Sequence, residues 1–132
     1  MSLTAYKNAH KSAETPKQAE YRLFAEVTAA LAEAKRSAAS GPALVDALDW
    51  NRRLWSTLSA DCNAAGNDLP RELRALIVSV GLWVSRYASE VARGKADIDA
   101  LIDVNRTIME GLAMQSSRLA DADSAASIAG HA

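Results

Sequence analysis

The chain has 132 residues, and apolar types make up 49% of them, which is enough for one domain with its own core. Fifteen Lys and Arg against 16 Asp and Glu give a net charge of −1, and this balance argues against a polyanion-binding protein. The single cysteine cannot form an internal disulfide, and no secretory signal is evident. The longest apolar stretch, residues 75–84, is about half of a membrane span. We therefore expect a cytoplasmic protein without a membrane segment.

The composition predicts an all-α fold. Alanine supplies 28 residues, while there are only six glycines and three prolines, and this mixture favours helix outside a few breaks. No segment alternates apolar and polar residues in the way a half-buried strand does. We expect a bundle of four main helices with a short additional helix at the N-terminus, and no sheet.

The three prolines predict where helices begin, because proline suits the first helical position, where its missing N–H is not needed. Together with the glycine and asparagine breaks, they predict helices over about residues 16–39, 42–62, 70–93 and 97–113. The third segment is the most apolar, so we expect it to lie at the centre of the bundle.

Apolar side chains recur at helical spacing in each segment, and this spacing predicts which faces form the core. The four predicted stripes are Phe24, Val27, Leu31 and Ala34; Leu44, Leu48, Trp55 and Leu58; Leu73, Leu76, Ile77, Val80, Val84, Tyr87 and Val91; and Ile98, Leu101, Ile102, Asn105, Ile108, Met109 and Leu112.

The two ends of the chain differ from the middle. Ser2 can cap a short helix carrying Leu3 and Tyr6, which we expect to fold back on the bundle as an arm. After Met114 the sequence is mostly Ala, Ser and Asp, with too few large apolar residues to offset the entropy of ordering. We therefore predict a single helical domain over residues 1–114 and a disordered or frayed tail over residues 115–132.

The search for catalytic chemistry is negative. His10 and His131 have no carboxylate or cysteine at ligand spacing, and Cys62 has no histidine predicted beside it to act as a base. Residues 97–103 contain three aspartates, but the glycine turn and terminal glutamate of a calcium-binding loop are missing. Aspartates at this position complement the helix dipole. We expect no enzyme, no metal site and no cofactor.

The second predicted helix contains an aromatic and basic cluster, in which Trp50 and Trp55 flank two arginines. Asp49 precedes Arg53 at the favourable acid-first spacing. A helix that is apolar or aromatic over more than half its circumference needs a second packing partner, which is either another helix or a different molecule. Trp and Arg are enriched at binding hot spots. Trp83 lies off the main apolar stripe of its own helix, so it too is covered either by another helix or by a different molecule.

Four segments, taken in order, closely resemble the FlaF family of flagellar biosynthesis regulators from alphaproteobacteria. They are AEYRLF (residues 19–24), ALDWNRRLW (47–55), GLWV (81–84) and DVNRTIM (103–109), the last followed by Gly111-Leu112. The resemblance covers about residues 3–113. Its most specific element is DWNRRLW, because an alanine-rich bundle has no physical reason to repeat that order of residues.

The resemblance implies a small cytoplasmic regulator of flagellin synthesis that opposes the translational repressor FlbT, with flagellin and FlbT as partners. A mechanism that suits a helical bundle is chaperone-like capture of an amphipathic terminal helix of unassembled flagellin in a groove. The residue types and their surfaces lead us to predict as partner-binding residues Trp50, Arg53, Trp55, Trp83, Asn105 and Arg106.

Two other functions stay open at this point. One is an RNA-associated regulator of flagellin messenger RNA, which would bind in a salt-dependent way and which the charge balance argues against. The other is a structural adaptor that dimerises through the Trp50–Trp55 helix. The sequence is compatible with a monomer or a homodimer.

Overall fold

Four helices make up the part of the chain that the computed structural model describes, residues 13–130. They are α1 (Pro16–Arg36), α2 (Gly41–Asn63), α3 (Arg71–Ala92) and α4 (Asp99–Gly130), and these residues contain no strand. The all-α prediction is confirmed. The predicted N-terminal helix and both histidines lie outside the described residues.

Prolines and a capping box mark the helix starts. Pro16 is the first residue of α1, Pro42 the second residue of α2, and Pro70 directly precedes α3. At α1, the Thr15 hydroxyl accepts the Gln18 backbone N–H at 3.1 Å, and the Gln18 side chain accepts the Thr15 N–H at 3.0 Å. Two backbone donors that a helix start leaves without partners are thereby satisfied. The predicted role of the prolines is confirmed.

The helices pack in the order α4, α1, α2, α3. Helix α2 packs against both α1 and α3, and α4 packs against α1, whereas α3 and α4 touch only slightly. Lys35 near the end of α1 pairs with Asp99 in the first turn of α4, so these two helices run antiparallel. The expectation that the third helix is central is wrong. Helix α2 has neighbours on two sides, and α3 lies at the edge.

The core contains most of the predicted apolar stripes. All four predicted stripe residues of α1 are buried, and so are three of four in α2. In the fourth predicted stripe, five of seven are buried, including Ile98, which directly precedes α4. Helix α3 departs most from the prediction, because only Ile77, Val84 and Val91 of its seven stripe residues are buried and Leu76 is 50% exposed. The position of α3 at the edge of the bundle explains this difference.

The fourth helix is longer than predicted. We expected it to end near Ala113, but its backbone continues to Gly130. Alanine is the strongest helix former, and the residues after Met114 contain no proline, so helix propensity is sufficient where apolar periodicity has ended. None of the four described helices is long and apolar enough to cross a membrane.

Candidate functional site

A buried network of hydrogen bonds connects three helices at the centre of the bundle. The Trp55 indole N–H donates to Asn105 Oδ1 at 2.9 Å, and the Asn105 amide donates to Asn51 Oδ1 at 2.8 Å and to Thr28 Oγ1 at 3.1 Å. The Thr28 hydroxyl donates in turn to the Phe24 carbonyl at 2.7 Å. We call Thr28, Asn51, Trp55 and Asn105 the polar core network. It connects α1, α2 and α4 through their side chains.

Each member of the polar core network is almost completely shielded from solvent. Asn51 and Asn105 are 0% exposed, Trp55 is 1% exposed and Thr28 is 6% exposed. Because a buried polar group without a partner is costly, such a network favours one relative placement of the helices over others. One polar atom of the network is not satisfied, because Asn51 Nδ2 has no hydrogen-bond partner among the described residues.

Trp55 also organises the apolar core around the network. Its ring lies edge-on to Phe24, with ring centroids 5.6 Å apart and planes at 80°, a favoured geometry for aromatic pairs. Gly81 of α3 also lies close to this ring, because a Cβ added to it would be 3.7 Å from the Trp55 ring and 2.5 Å from Ser59 Oγ. The glycine therefore permits the close approach of α2 and α3 beside Trp55.

These positions correct two predicted partner-binding residues. Trp55 and Asn105 lie in the core and hydrogen-bond to each other, so neither presents a surface to a partner. The second packing partner expected for α2 is another helix of the same chain, because α2 lies between α1 and α3. The sequence pattern identified both residues as unusual, but their role is to hold helices together.

Three other predicted residues reach the surface at separate places. Arg53 is exposed and lies 3.4 Å from Asp49, which confirms the predicted pairing of the two side chains. Arg106 is exposed on α4. Trp50 is half-buried at one end of a shallow groove of about 340 Å³ between α1 and α2, whose floor consists mainly of alanines. The predicted residues therefore do not form one continuous site.

Trp83 lies on the face of α3 that points away from α2. The half-buried Trp83 ring stacks on Tyr87, with centroids 4.6 Å apart and planes at 27°. This pair borders an open groove of about 500 Å³, together with Arg86, Ser89, Glu90 and Arg93. The Tyr87 hydroxyl donates to the Asp97 carbonyl at 2.7 Å and so anchors this part of α3 to the segment before α4.

The same side of α3 carries the most exposed large apolar residues of this helix. Leu82 is 64% exposed and Leu76 is 50% exposed, and helical spacing places Trp83 and Arg86 between or beside them. We call Leu76, Leu82, Trp83 and Arg86 the α3 outer face. Of these four residues, only Trp83 is predicted from the sequence as a partner-binding residue. Leu76 was assigned to the core, and Leu82 was noted only within the GLWV segment, because helical periodicity alone does not show that α4 leaves this side uncovered.

Arg52 has a structural role that the sequence analysis missed. Its guanidinium Nη2 donates to Ser89 Oγ at 2.7 Å and to the Ser85 carbonyl at 3.2 Å. These bonds connect α2 to α3 at Ser85 and Ser89. The arginine pair of the DWNRRLW segment is therefore divided, with Arg52 joining helices and Arg53 facing solvent.

The described residues offer little for catalysis. No group of three His, Cys, Asp or Glu side chains among them is placed to hold a metal ion. Cys62 is buried, and its pKa is raised, first by burial and then by the carboxylates of Glu20 and Asp61. A raised pKa keeps the thiol protonated and poorly nucleophilic at neutral pH. Of the three aspartates in residues 97–103, Asp97 acts as a helix-capping residue, since its side chain accepts the Asp99 backbone N–H at 2.9 Å.

Comparison with known protein families gives a match over most of the chain. The family model described as "Flagellar protein FlaF" matches residues 2–112, which is most of the chain and includes all four segments of the resemblance. Neither the search of curated proteins nor the search of solved structures gave a match.

Proposed function

The chain belongs to the FlaF family of flagellar proteins, and from that premise we propose that it regulates flagellin synthesis and flagellum biogenesis. In this proposal it binds unpolymerised flagellin in a chaperone-like way and opposes the translational repressor FlbT. Free flagellin would then be kept from premature assembly, and its amount would be coupled to further synthesis.

The observation that supports binding of a helix is the α3 outer face. Leu76 and Leu82 are large apolar side chains held in water by a rigid helix, and the stacked Trp83–Tyr87 pair lies beside them. Apolar groups arranged along one helix face, with an arginine at their edge, suit the apolar stripe of an amphipathic helix. We propose that a terminal helix of flagellin packs along this face.

Calorimetry tests this proposal directly. We expect saturable binding when the purified protein is titrated with unpolymerised flagellin, and loss of binding when the flagellin lacks its terminal helices. Binding should change little between low and moderate salt, since apolar contact is not screened. A steep loss of affinity with salt and a signal with flagellin messenger RNA would favour the RNA-associated alternative instead.

A pair of matched variants locates the surface. Leu82→Glu places a charge on the α3 outer face, whereas Val45→Glu makes the same kind of change on α2 at a residue that is 50% exposed. Burial of a leucine on binding contributes about 1.5–3 kcal/mol, so Leu82→Glu should weaken binding by about tenfold or more. Val45→Glu should leave it unchanged. Equal effects of both variants would contradict the assignment of this face.

A further inference from the structure

A second concave site lies at the end of the bundle where α1 begins. It is a cavity of about 280 Å³ between the first turns of α1, the end of α2, the loop that follows α2 and the middle of α4. Its apolar wall is formed by four side chains, Tyr21, Leu58, Leu69 and Leu112. Its charged residues, among those that the structure describes, are three acids and one base, Glu20, Asp61, Asp68 and Lys17. We call this site the acidic cavity.

The acidic cavity has a buried floor and an exposed rim. Leu58 is 2% exposed and Glu20 is half-buried, whereas Asp61, Asp68 and Tyr21 are exposed and border the opening to solvent. One turn of a helix, about 10–12 Å wide and 5.4 Å long, does not fit into this volume. An occupant is therefore a single long side chain or a small molecule, and the site differs in kind from the α3 outer face.

The negative charge of the acidic cavity is only weakly compensated by the described residues that line it. Lys17 lies 3.8 Å from Asp68, and both side chains are well exposed, so this pair is loose and screened by water. Burial first, and the Asp61 carboxylate second, raise the pKa of Glu20, so a second negative charge lies close to a half-buried one. A cation between Glu20 and Asp61 would relieve this repulsion.

The composition of the walls favours an organic cation over a metal ion. In the part of the chain that the structure describes, no three His, Cys, Asp or Glu side chains are placed to hold a metal ion, and the three acids of the cavity are among those residues. A metal ion would also gain nothing from the leucines. A charged group on an aliphatic stem is complementary to both walls, because the stem packs on apolar surface while the head reaches the carboxylates.

Of the two basic side chains with such a stem, arginine suits the acidic cavity better than lysine. Its planar guanidinium presents five N–H donors, which can pair with two carboxylates at once, and it stacks on aromatic rings such as that of Tyr21. Arginine is also enriched at protein–protein interfaces, where lysine is depleted. A long arginine side chain that enters a pocket is a common anchor of such interfaces.

We propose that the acidic cavity is a docking pocket for an arginine side chain of a partner protein. The guanidinium binds between Glu20 and Asp61, and its aliphatic stem lies against Leu58 and Leu112. This pocket shares no residue with the α3 outer face. The inference therefore holds or fails independently of flagellin binding at that face.

Nuclear magnetic resonance titrations of the isotope-labelled full chain test the chemistry of the pocket. We expect acetyl-arginine methylamide to shift the backbone amide signals of Gly66, Leu69 and Leu112 saturably, with a dissociation constant on the order of 1 mM. The citrulline analogue has the same shape without the charge and should bind about tenfold more weakly. Equal affinity for both probes, or no shift with either, would overturn the proposal. Saturable shifts with calcium chloride alone would do the same, because the carboxylates would then bind a metal ion.

Matched variants locate the contact. Glu20→Gln/Asp61→Asn removes both charges with little change in side-chain size, and it should weaken binding of the arginine probe about tenfold or more. Asp61→Asn alone, at an exposed position, should weaken it by a smaller factor. The control Asp49→Asn removes an exposed charge elsewhere on α2 and should leave the affinity unchanged. If the double variant binds the probe as tightly as the wild type, the assignment of the two carboxylates is wrong.

A peptide distinguishes a partner protein from a free small molecule. A peptide with one arginine between alanines should shift the same signals and bind at least as tightly as acetyl-arginine methylamide. Binding of the methylamide without binding of the peptide would refute docking of a protein, because the pocket would then exclude a continuing chain. A second copy of this chain as the occupant would appear as a dimer in sedimentation that Glu20→Gln/Asp61→Asn dissociates, and this result would also count against the proposal.

Discussion

Removing the Asn105 side chain should be among the most damaging single changes to this protein. Asn105→Ala eliminates three hydrogen bonds at 2.8 to 3.1 Å and leaves two buried groups without partners, the Trp55 indole N–H and Asn51 Oδ1. Thr28 is less affected, because its hydroxyl still donates to the Phe24 carbonyl at 2.7 Å.

The expected magnitude follows from these two orphaned groups. A buried polar group that loses its only partner costs about 1–3 kcal/mol, and the space left by the amide adds a smaller cavity cost. We therefore expect Asn105→Ala to lower the free energy of unfolding by about 3–5 kcal/mol, against a total of about 5–15 kcal/mol for a typical domain. The melting temperature should fall by roughly 10–20 °C.

Urea unfolding followed by far-ultraviolet circular dichroism measures this change. The neighbouring exposed residue provides the control, since Arg106→Ala should alter the unfolding free energy by less than about 0.5 kcal/mol. A cost below about 1 kcal/mol for Asn105→Ala would refute the reasoning, because it would mean that water or another group satisfies both orphaned atoms.

A double-mutant cycle isolates the bond between Trp55 and Asn105. Trp55→Phe removes the indole donor and also creates a cavity, and the cavity cost is the same with or without Asn105. In the Asn105→Ala protein, Trp55→Phe should therefore cost about 1–2 kcal/mol less than in the wild type, because it then removes an orphaned donor. Equal costs in the two backgrounds would show that this hydrogen bond contributes nothing to stability.

Three further predictions concern Gly81, Glu20 and Cys62. The change in unfolding free energy caused by Gly81→Ala should be more stabilising in the Ser59→Ala background than in the wild type. In that background the new Cβ avoids Ser59 Oγ, and alanine contributes about 0.5–1 kcal/mol of helix propensity. An equal change in both backgrounds would contradict this. Burial and Asp61 raise the pKa of Glu20 above its ordinary 4.5, so the folded state holds the proton more tightly and wild-type stability should decrease as pH rises from 4.5 through the raised pKa. Glu20→Gln should abolish that decrease, which is measured as urea midpoints from pH 4.5 through the raised pKa of Glu20. A pH profile of stability that is the same in the wild type and in Glu20→Gln would refute this prediction. The Cys62 thiol should react with a disulfide reagent at neutral pH only as fast as the protein opens, and rapid labelling of the native protein would contradict its burial and raised pKa.

Local sequence determined the secondary structure of this protein. Three helix starts follow from Pro16, Pro42 and Pro70, because proline and capping residues act through atoms within one turn of the backbone. The core faces of α1 and α4 also follow from spacing, since each helix buries one apolar stripe. The end of α4 was the main local error, because alanine-rich sequence continues a helix without an apolar stripe.

Only the tertiary structure decided which unusual residues are core and which are surface. Trp55 and Asn105 are 50 positions apart in the sequence, and nothing local to either residue predicts that each is the other's hydrogen-bond partner. The exposure of Leu76 likewise depends on how little α3 and α4 touch, which is a property of the whole bundle. Helical periodicity identifies a face that needs covering, and the placement of the other helices determines whether the chain covers that face or leaves it for a partner.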